Sequence, residues 1–278
     1  MTELLYEIQI QQPMQFESLA VIPLRRCPVE GGEPRAPRQY LSANEALQAE
    51  TVRVEEVTQN GSVPHLIVKN SSDKPVLFIE GDALVGAKQN RVLNTTVLVG
   101  AETDCIVPVS CIEQGRWSRE SERFRAGDHG SPAYLRHKIK KSVRESVLAG
   151  RGHRSDQAEV WREIRKQHRS LGVSSATGAM SDTFRSLSEW IWECKRAIPY
   201  PVDAEGMVAA VNGEIVGLDL FESDEICRGA WSRLLGGYML DAFQGDRRRE
   251  KDREAAPRRS LEDLDPMIQE IQEIQEIQ

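Results

Sequence analysis

The hydrophobic period of this chain changes near Trp117, and that change limits the possible folds more than any other feature. Before it, apolar residues alternate in short runs: "LYEIQI", "LAVIPL", "TVRVEEV", "VPHLIVKN", "PVLFIE", "RVLNTTVLV" and "CIVPVSCIE". A period of two is the mark of strands with one buried face. Pro23 marks its strand as an edge or a bulge, because proline has no ladder donor. Five prolines and glycines between Cys27 and Arg38 (Pro28, Gly31, Gly32, Pro34, Pro37) make that segment a loop. Asn60-Gly61 is the dipeptide that a tight hairpin favours. Ser42 can cap a short helix, "ANEALQAE".

After Trp117 the period becomes 3.6. Ser131-Pro132 starts a helix whose stripe is Leu135, Ile139, Val143 and Val147, ending at Gly150. A second helix from near Ser155 turns Val160, Trp161, Ile164 and Leu171 inward, and "GVSSATGAM" reads as a link. A third, from Ser181, carries Phe184, Leu187, Ile191 and Cys194. "GMVAAVNGEIVGLDLF" is a hairpin about Asn212-Gly213. A last helix from about Asp224 to Phe243 buries Cys227, Ala230, Trp231, Leu234, Leu235 and Tyr238.

Strands first, then helices, a hairpin and one more helix make an α+β protein, not a βαβ repeat. The N-terminal half is expected to be an antiparallel β-sandwich or half-open barrel. One domain is expected over 1–244, β-rich over 1–117, helical over 131–197, with hairpin and helix over 206–244. Residues 245–278 are a charged low-complexity tail, read as disordered, whose isoleucines recur every three residues and so spiral around a helix instead of forming a seam.

Among the 278 residues no apolar run reaches the ~18 that a membrane span needs. The N-terminus has no basic region of a secretory signal, and five scattered cysteines form no CxxC pair, so a reducing cytoplasm is expected. No HxH spacing is present, and no metal site is expected. Arg116 to Arg169 holds fifteen Lys/Arg against seven Asp/Glu, on a chain of formal net charge −7. A nucleic-acid-binding face on the basic helices of 133–169 is therefore one possible function.

A polar insert carries the other candidates. "FIEGDALVGAKQNRVLN" sets Glu80, Gly81, Gly86, Lys88, Gln89 and Arg91 between apolar runs. "CIVPVSCIEQGRW" ends in Cys111, Glu113, Gly115, Arg116 and Trp117. If these strand ends are neighbours, cations for an anionic group, carboxylates for hydroxyls and glycines for clearance converge on one rim. The same residues could equally be ion pairs that close a sheet edge. Glu80 and Glu113 are candidate acid/base groups and Cys111 a candidate nucleophile, without a histidine visible near the motif. Lys88, Gln89, Arg91, Arg116 and Trp117 are candidate ligand contacts. On this reading Arg91→Ala or Glu113→Ala leaves the protein folded and abolishes binding.

Glu80, Gly86, Lys88, Gln89, Arg91, Pro108, Val109, Cys111, Glu113, Gly115, Arg116 and Trp117 resemble the signature of a bacterial family, the ARG and rhodanese-phosphatase-superfamily-associated proteins. ARG there denotes ADP-ribosylglycohydrolase. Val107 and Ile112 stand where the family pattern has Ile and Val, which are apolar exchanges. "GMVAAVNGEIVGLDLF…WSRLLGGYMLDAF" is similar to the family's C-terminal part. The resemblance implies ADP-ribosylglycohydrolase- or phosphatase-type partners. It also implies an accessory protein that binds a nucleotide or ADP-ribose-like group, linked to ADP-ribose or phosphate metabolism or stress response. A hydrolase or transferase acting on such a ligand through Glu80 and Glu113 is the alternative.

Overall fold

The computed structural model describes residues 6–28, 38–58 and 61–251, with side chains described through residue 246. The tail beyond residue 251, most of the proline-glycine loop and Asn60 of the first predicted hairpin turn lie outside the described residues.

In chain order the strands and helices begin with β1 (Tyr6–Ile10), β2 (Met14–Phe16), β3 (Leu19–Pro28), β4 (Leu41–Ser42) and α1 (Ala43–Gln48). Next come β5 (Val52–Glu56), β6 (His65–Asn70), β7 (Val76–Phe78), β8 (Asp82–Gly86), β9 (Arg91–Leu93), β10 (Val97–Val99), β11 (Thr103–Cys111) and β12 (Phe124–Gly130). Then follow α2 (Ala133–Leu148), α3 (Gln157–Leu171), α4 (Met180–Ser186), α5 (Ser188–Ala197), β13 (Gly206–Val211), β14 (Glu214–Leu220) and α6 (Asp224–Lys251). The fold is α+β. The chain forms two compact units, one of Met1–Arg38, Trp192–Ser232 and Asp241–Gln278, the other of Gln39–Ile191 and Arg233–Leu240.

The first unit joins strands from residues 6–28 and 206–220 in one antiparallel sheet of order β1-β3-β13-β14, with β2 also on β3. Asn212 and Gly213 take φ of 55° and 78°, the double left-handed turn that the Asn-Gly dipeptide predicts. Pro23 departs from expectation, since β3 is a central strand with β13 on one side and β1 and β2 on the other. Amide and carbonyl of one antiparallel residue face the same neighbour. The Pro23 carbonyl accepts from Gln11 N at 2.9 Å, so the missing donor faces the interval between β1 and β2, where no ladder bond is lost.

The second unit is built on a closed barrel of order β11-β6-β5-β12-β8-β9. Val52, Val54, Leu66, Val68, Leu84, Leu93, Val107, Val109 and Phe124 fill its interior, each two residues from the next inward residue on its strand. Ala43 and Ala46 of α1, with Val76 and Phe78 of β7, belong to the same core. The Ser42–Glu45 capping box starts α1, as the sequence indicates. The barrel is closed where a sandwich or half-open barrel was expected, and β12 makes the difference. "FRAGDHG" has no alternation to read, yet it pairs with β5 through Phe124↔Val54 and with β8 through Phe124↔Gly86 to Gly130↔Asp82.

Leu135, Ile139 and Val143 of α2 are buried as their spacing predicts. Val147, assigned to the same stripe, is 44% exposed. The predicted third helix is two, broken at Leu187. No described helix is long and apolar enough to cross a membrane.

Candidate functional site

Strands β9 and β11 pair with Arg91 opposite Cys111, and Ile112 N donates to Asn90 O at 3.0 Å. The two motif segments are thus neighbours, as the sequence reading requires. Their side chains, however, divide into three groups.

The first group lies on the outer side of the barrel. Glu113, only 4% exposed, accepts from Asn90 N at 3.2 Å and Arg116 Nη2 at 2.7 Å through one oxygen, and from Thr177 Oγ1 at 2.9 Å through the other. Arg116 also donates to the carbonyls of Ala87 at 2.7 Å and Ser118 at 3.2 Å. Its guanidinium is therefore largely occupied in holding the β8–β9 turn. Gln89 Nε2 donates to Gln114 O at 3.2 Å. Gly115 is needed here: a Cβ would stand 2.9 Å from the Thr177 Cα, and Gly115 N donates to Thr177 O at 2.7 Å. Residues 173–180, read from sequence as a mere link, are thereby tied to the motif.

The second group closes the barrel interior. Arg91 shares its direction with Leu93, two residues on, and is 0% exposed. Its Nη1 donates to Gln89 O at 3.0 Å, and its Nη2 stands 3.5 Å from Glu56 Oε1. The Arg91 and Lys88 cations lie 5.7 and 5.6 Å from the Trp117 ring centroid, within reach of the attraction between a cation and an aromatic ring. Arg91 is a candidate ligand contact that the structure places out of a ligand's reach. Cys111 is buried in the same interior, and burial pushes its thiol up to about 11, the Arg91 charge offsetting only part of this. Both backbone groups of Cys111 bond the Gln157 amide, at 2.7 and 2.8 Å. A buried thiol held in its protonated form is not an activated nucleophile.

Glu80 stands alone. It precedes β8, whereas Ala87 and Lys88 follow it, and five residues of strand span about 17 Å. Its carboxylate pairs with Lys140 Nζ at 2.7 Å. Glu80 and Glu113 therefore do not form the acid/base pair expected from sequence.

The Glu113 group borders a cleft of about 430 Å³. Asn90, Glu113, Arg116 and Thr177 lie on one side, and His129, Phe184, Arg125 and Arg185 on the others. His129 belongs to β12. Its ring stacks on Phe184, with centroids 4.4 Å apart and planes 7° from parallel. On Gly236 of α6 a Cβ would lie 2.6 Å from His129 Nδ1, so only glycine leaves the ring its place. Arg125 and Arg185 are exposed at the rim, with Asp128 and Asp182 as their respective partners at 3.8 and 2.9 Å. Among the described residues no group of three His, Cys, Asp or Glu side chains could hold a metal ion.

His168 of α3 lies behind the 173–180 segment. Burial lowers its pKa, against the raising effects of the Ala179 backbone and Asp182. The unfolded chain then binds the extra proton first as pH falls below the ordinary histidine value, so stability declines there. Urea unfolding at pH 7.5 and pH 5.5 should show this loss, and His168→Gln should flatten it. An unchanged pH dependence in the variant would assign the loss to other groups.

A family model described as the ARG and Rhodanese-Phosphatase-superfamily-associated Protein domain matches residues 7–278. No curated protein and no solved structure matches the chain.

Proposed function

The chain belongs to the ARG and Rhodanese-Phosphatase-superfamily-associated family, and on that premise we propose that its second unit binds a small phosphate-bearing, hydroxyl-rich ligand of the nucleotide or ADP-ribose class in the Glu113 cleft. The observation that carries this reading is a buried carboxylate fixed by three donors beside a cleft of about 430 Å³ whose rim bears two exposed arginines. A rigid, largely pre-formed concavity with few convergent polar groups is the usual form of a ligand site. Arg125 and Arg185 would take the phosphate charge, since a guanidinium meets phosphate in a bidentate fork. Asn90 would offer its amide to a ribose hydroxyl, and Thr177 Oγ1, whose proton goes to Glu113, would act there as an acceptor. Association with ADP-ribosylglycohydrolase-type proteins, which the family name suggests, accords with a ligand of this class.

A hydrolytic reading draws support from His129, a titratable group bordering the same cleft. It would replace the Glu80–Glu113 pair by a histidine acting near Glu113.

Thermal-shift and calorimetric titrations with ADP-ribose, AMP and ATP test the binding reading. At least one should bind the wild-type protein, and Arg125→Ala/Arg185→Ala should bind it at least about tenfold more weakly with its melting temperature unchanged. No binding of any of the three, or full binding by the double variant, would refute the reading. Release of a product from ADP-ribose, abolished in His129→Ala, would favour hydrolysis.

A further inference from the structure

A second cleft, of about 420 Å³, lies on the other side of residues 173–178. It is lined by Arg165, His168 and Arg169 of α3, by Gln114 and Gly115, and by the 173–178 segment. No carboxylate lines it, which stands out in a chain with 43 Asp and Glu against 36 Lys and Arg. The Glu113 cleft is different, for there Glu113, Glu120, Asp128 and Asp182 face its arginines.

Spacing on α3 explains the concentration of charge. Arg165 and Arg169 are four residues apart, hence neighbours on one helix face, with His168 between them. The other cations of this helix are neutralised, Arg162 by Glu159 and Lys166 by Glu163. Arg165 instead bonds the uncharged Oε1 of Gln114. Arg169 has no ion-pair partner among the described residues. Two exposed guanidiniums thus point their unneutralised charge at a concave surface, where a low-dielectric wall strengthens the field that an anion feels. The buried His168 ring supplies a polar edge at the floor. The Ser175 and Thr177 hydroxyls are engaged already, donating to Asp182 and Glu113 at 2.5 and 2.9 Å, so the wall keeps its shape without a ligand.

We propose that this acid-free cleft on α3 is an anion site for a phosphate group, separate from the Glu113 cleft. Its occupant is a phosphate monoester or free phosphate, recognised by charge and by the Arg165 and Arg169 forks, with no feature that would read a base or a sugar. The inference does not rest on the reading of the Glu113 cleft, since the two share Thr177 and no charged residue.

Inorganic phosphate titrated into the full chain by calorimetry, at low and at high chloride, is the first experiment, with adenosine and AMP as further arms. Phosphate should bind with a Kd near or below about 1 mM and weaken as chloride rises. Arg165→Gln/Arg169→Gln should weaken it at least about tenfold. AMP binding to this site with adenosine inert would name a monoester as the natural group, and equal affinity for AMP and phosphate would name the phosphate alone. Absence of phosphate binding, or binding unchanged in the Arg165/Arg169 variant, overturns the proposal. Loss of phosphate binding with the Arg125/Arg185 variant instead would move the anion to the other cleft. Both α3 arginines are exposed, and circular dichroism checks that the variant folds. Should it not, Arg165→Lys/Arg169→Lys keeps the charge, and it must show weaker phosphate binding because a point charge replaces a fork.

Discussion

Arg91→Ala is expected to destabilise the protein by about 3–5 kcal/mol, because it leaves the buried Glu56 carboxylate without its partner. Arg91 is 0% exposed, and the side chain of Glu56 is 4% exposed. Neither group can turn to water. The arginine cannot shed its proton, so the pair stands or falls together. For a domain of this size such a loss lowers the melting temperature by about 10 °C. Arg91→Met/Glu56→Leu should recover most of the loss, since a well-packed apolar pair of similar volume replaces a buried ion pair at little cost. Urea unfolding of Arg91→Met, Glu56→Leu and the double variant gives the coupling energy. A loss below about 1 kcal/mol in Arg91→Ala would mean that Glu56 is not confined as described. The expectation read from sequence is a folded Arg91→Ala protein that fails to bind, and the burial of Arg91 argues for its reversal, with lost stability the main effect.

That reversal shows what a sequence pattern conveys and what it withholds. The Lys88–Arg91 and Cys111–Trp117 segments were legible as neighbours, because apolar runs of even spacing on either side must pair. Direction was not legible. Arg91 lies two residues before Leu93 and must share its face, yet an arginine invites assignment to the rim. The stripe Leu135, Ile139, Val143 and the Asn212-Gly213 turn were read correctly because each rests on contacts within a few residues. Pro23 misled because its tolerance depends on where β1 ends and β2 begins, which is a matter of tertiary pairing. Thr177 and His129 were missed for the same reason. Each reaches the Glu113 cleft from a stretch with no periodic signal, and only the Gly115 and Gly236 contacts explain why they sit there.

Closure of the barrel depends on the strand that was hardest to foresee, and this yields the second large effect. Strand β12 meets β5 through a single register pair, Phe124↔Val54, and Phe124 also faces Gly86 of β8. Its ring is 3% exposed and belongs to the barrel core. Phe124→Ala should therefore cost about 3–5 kcal/mol through lost burial and the cavity left behind. The location of the damage discriminates better than its size. If β12 is the seam, the variant loses amide-exchange protection first along β5 and β12, while β6 and β11, joined by register pairs from Thr103↔Asn70 to Pro108↔His65, stay protected. Phe124→Leu fills most of the space and should keep the seam at a cost of about 1 kcal/mol. Uniform loss of protection around all six strands would mean that the barrel opens as a whole, and that a half-open form has no separate existence. Loss confined to β5 and β12 would make the half-open barrel a low-lying state of this chain. In that state β12 keeps its register pairs with β8, Arg125↔Val85 and Gly130↔Asp82 among them, so Arg125 and His129 stay at the Glu113 cleft and ligand binding should not weaken with the seam.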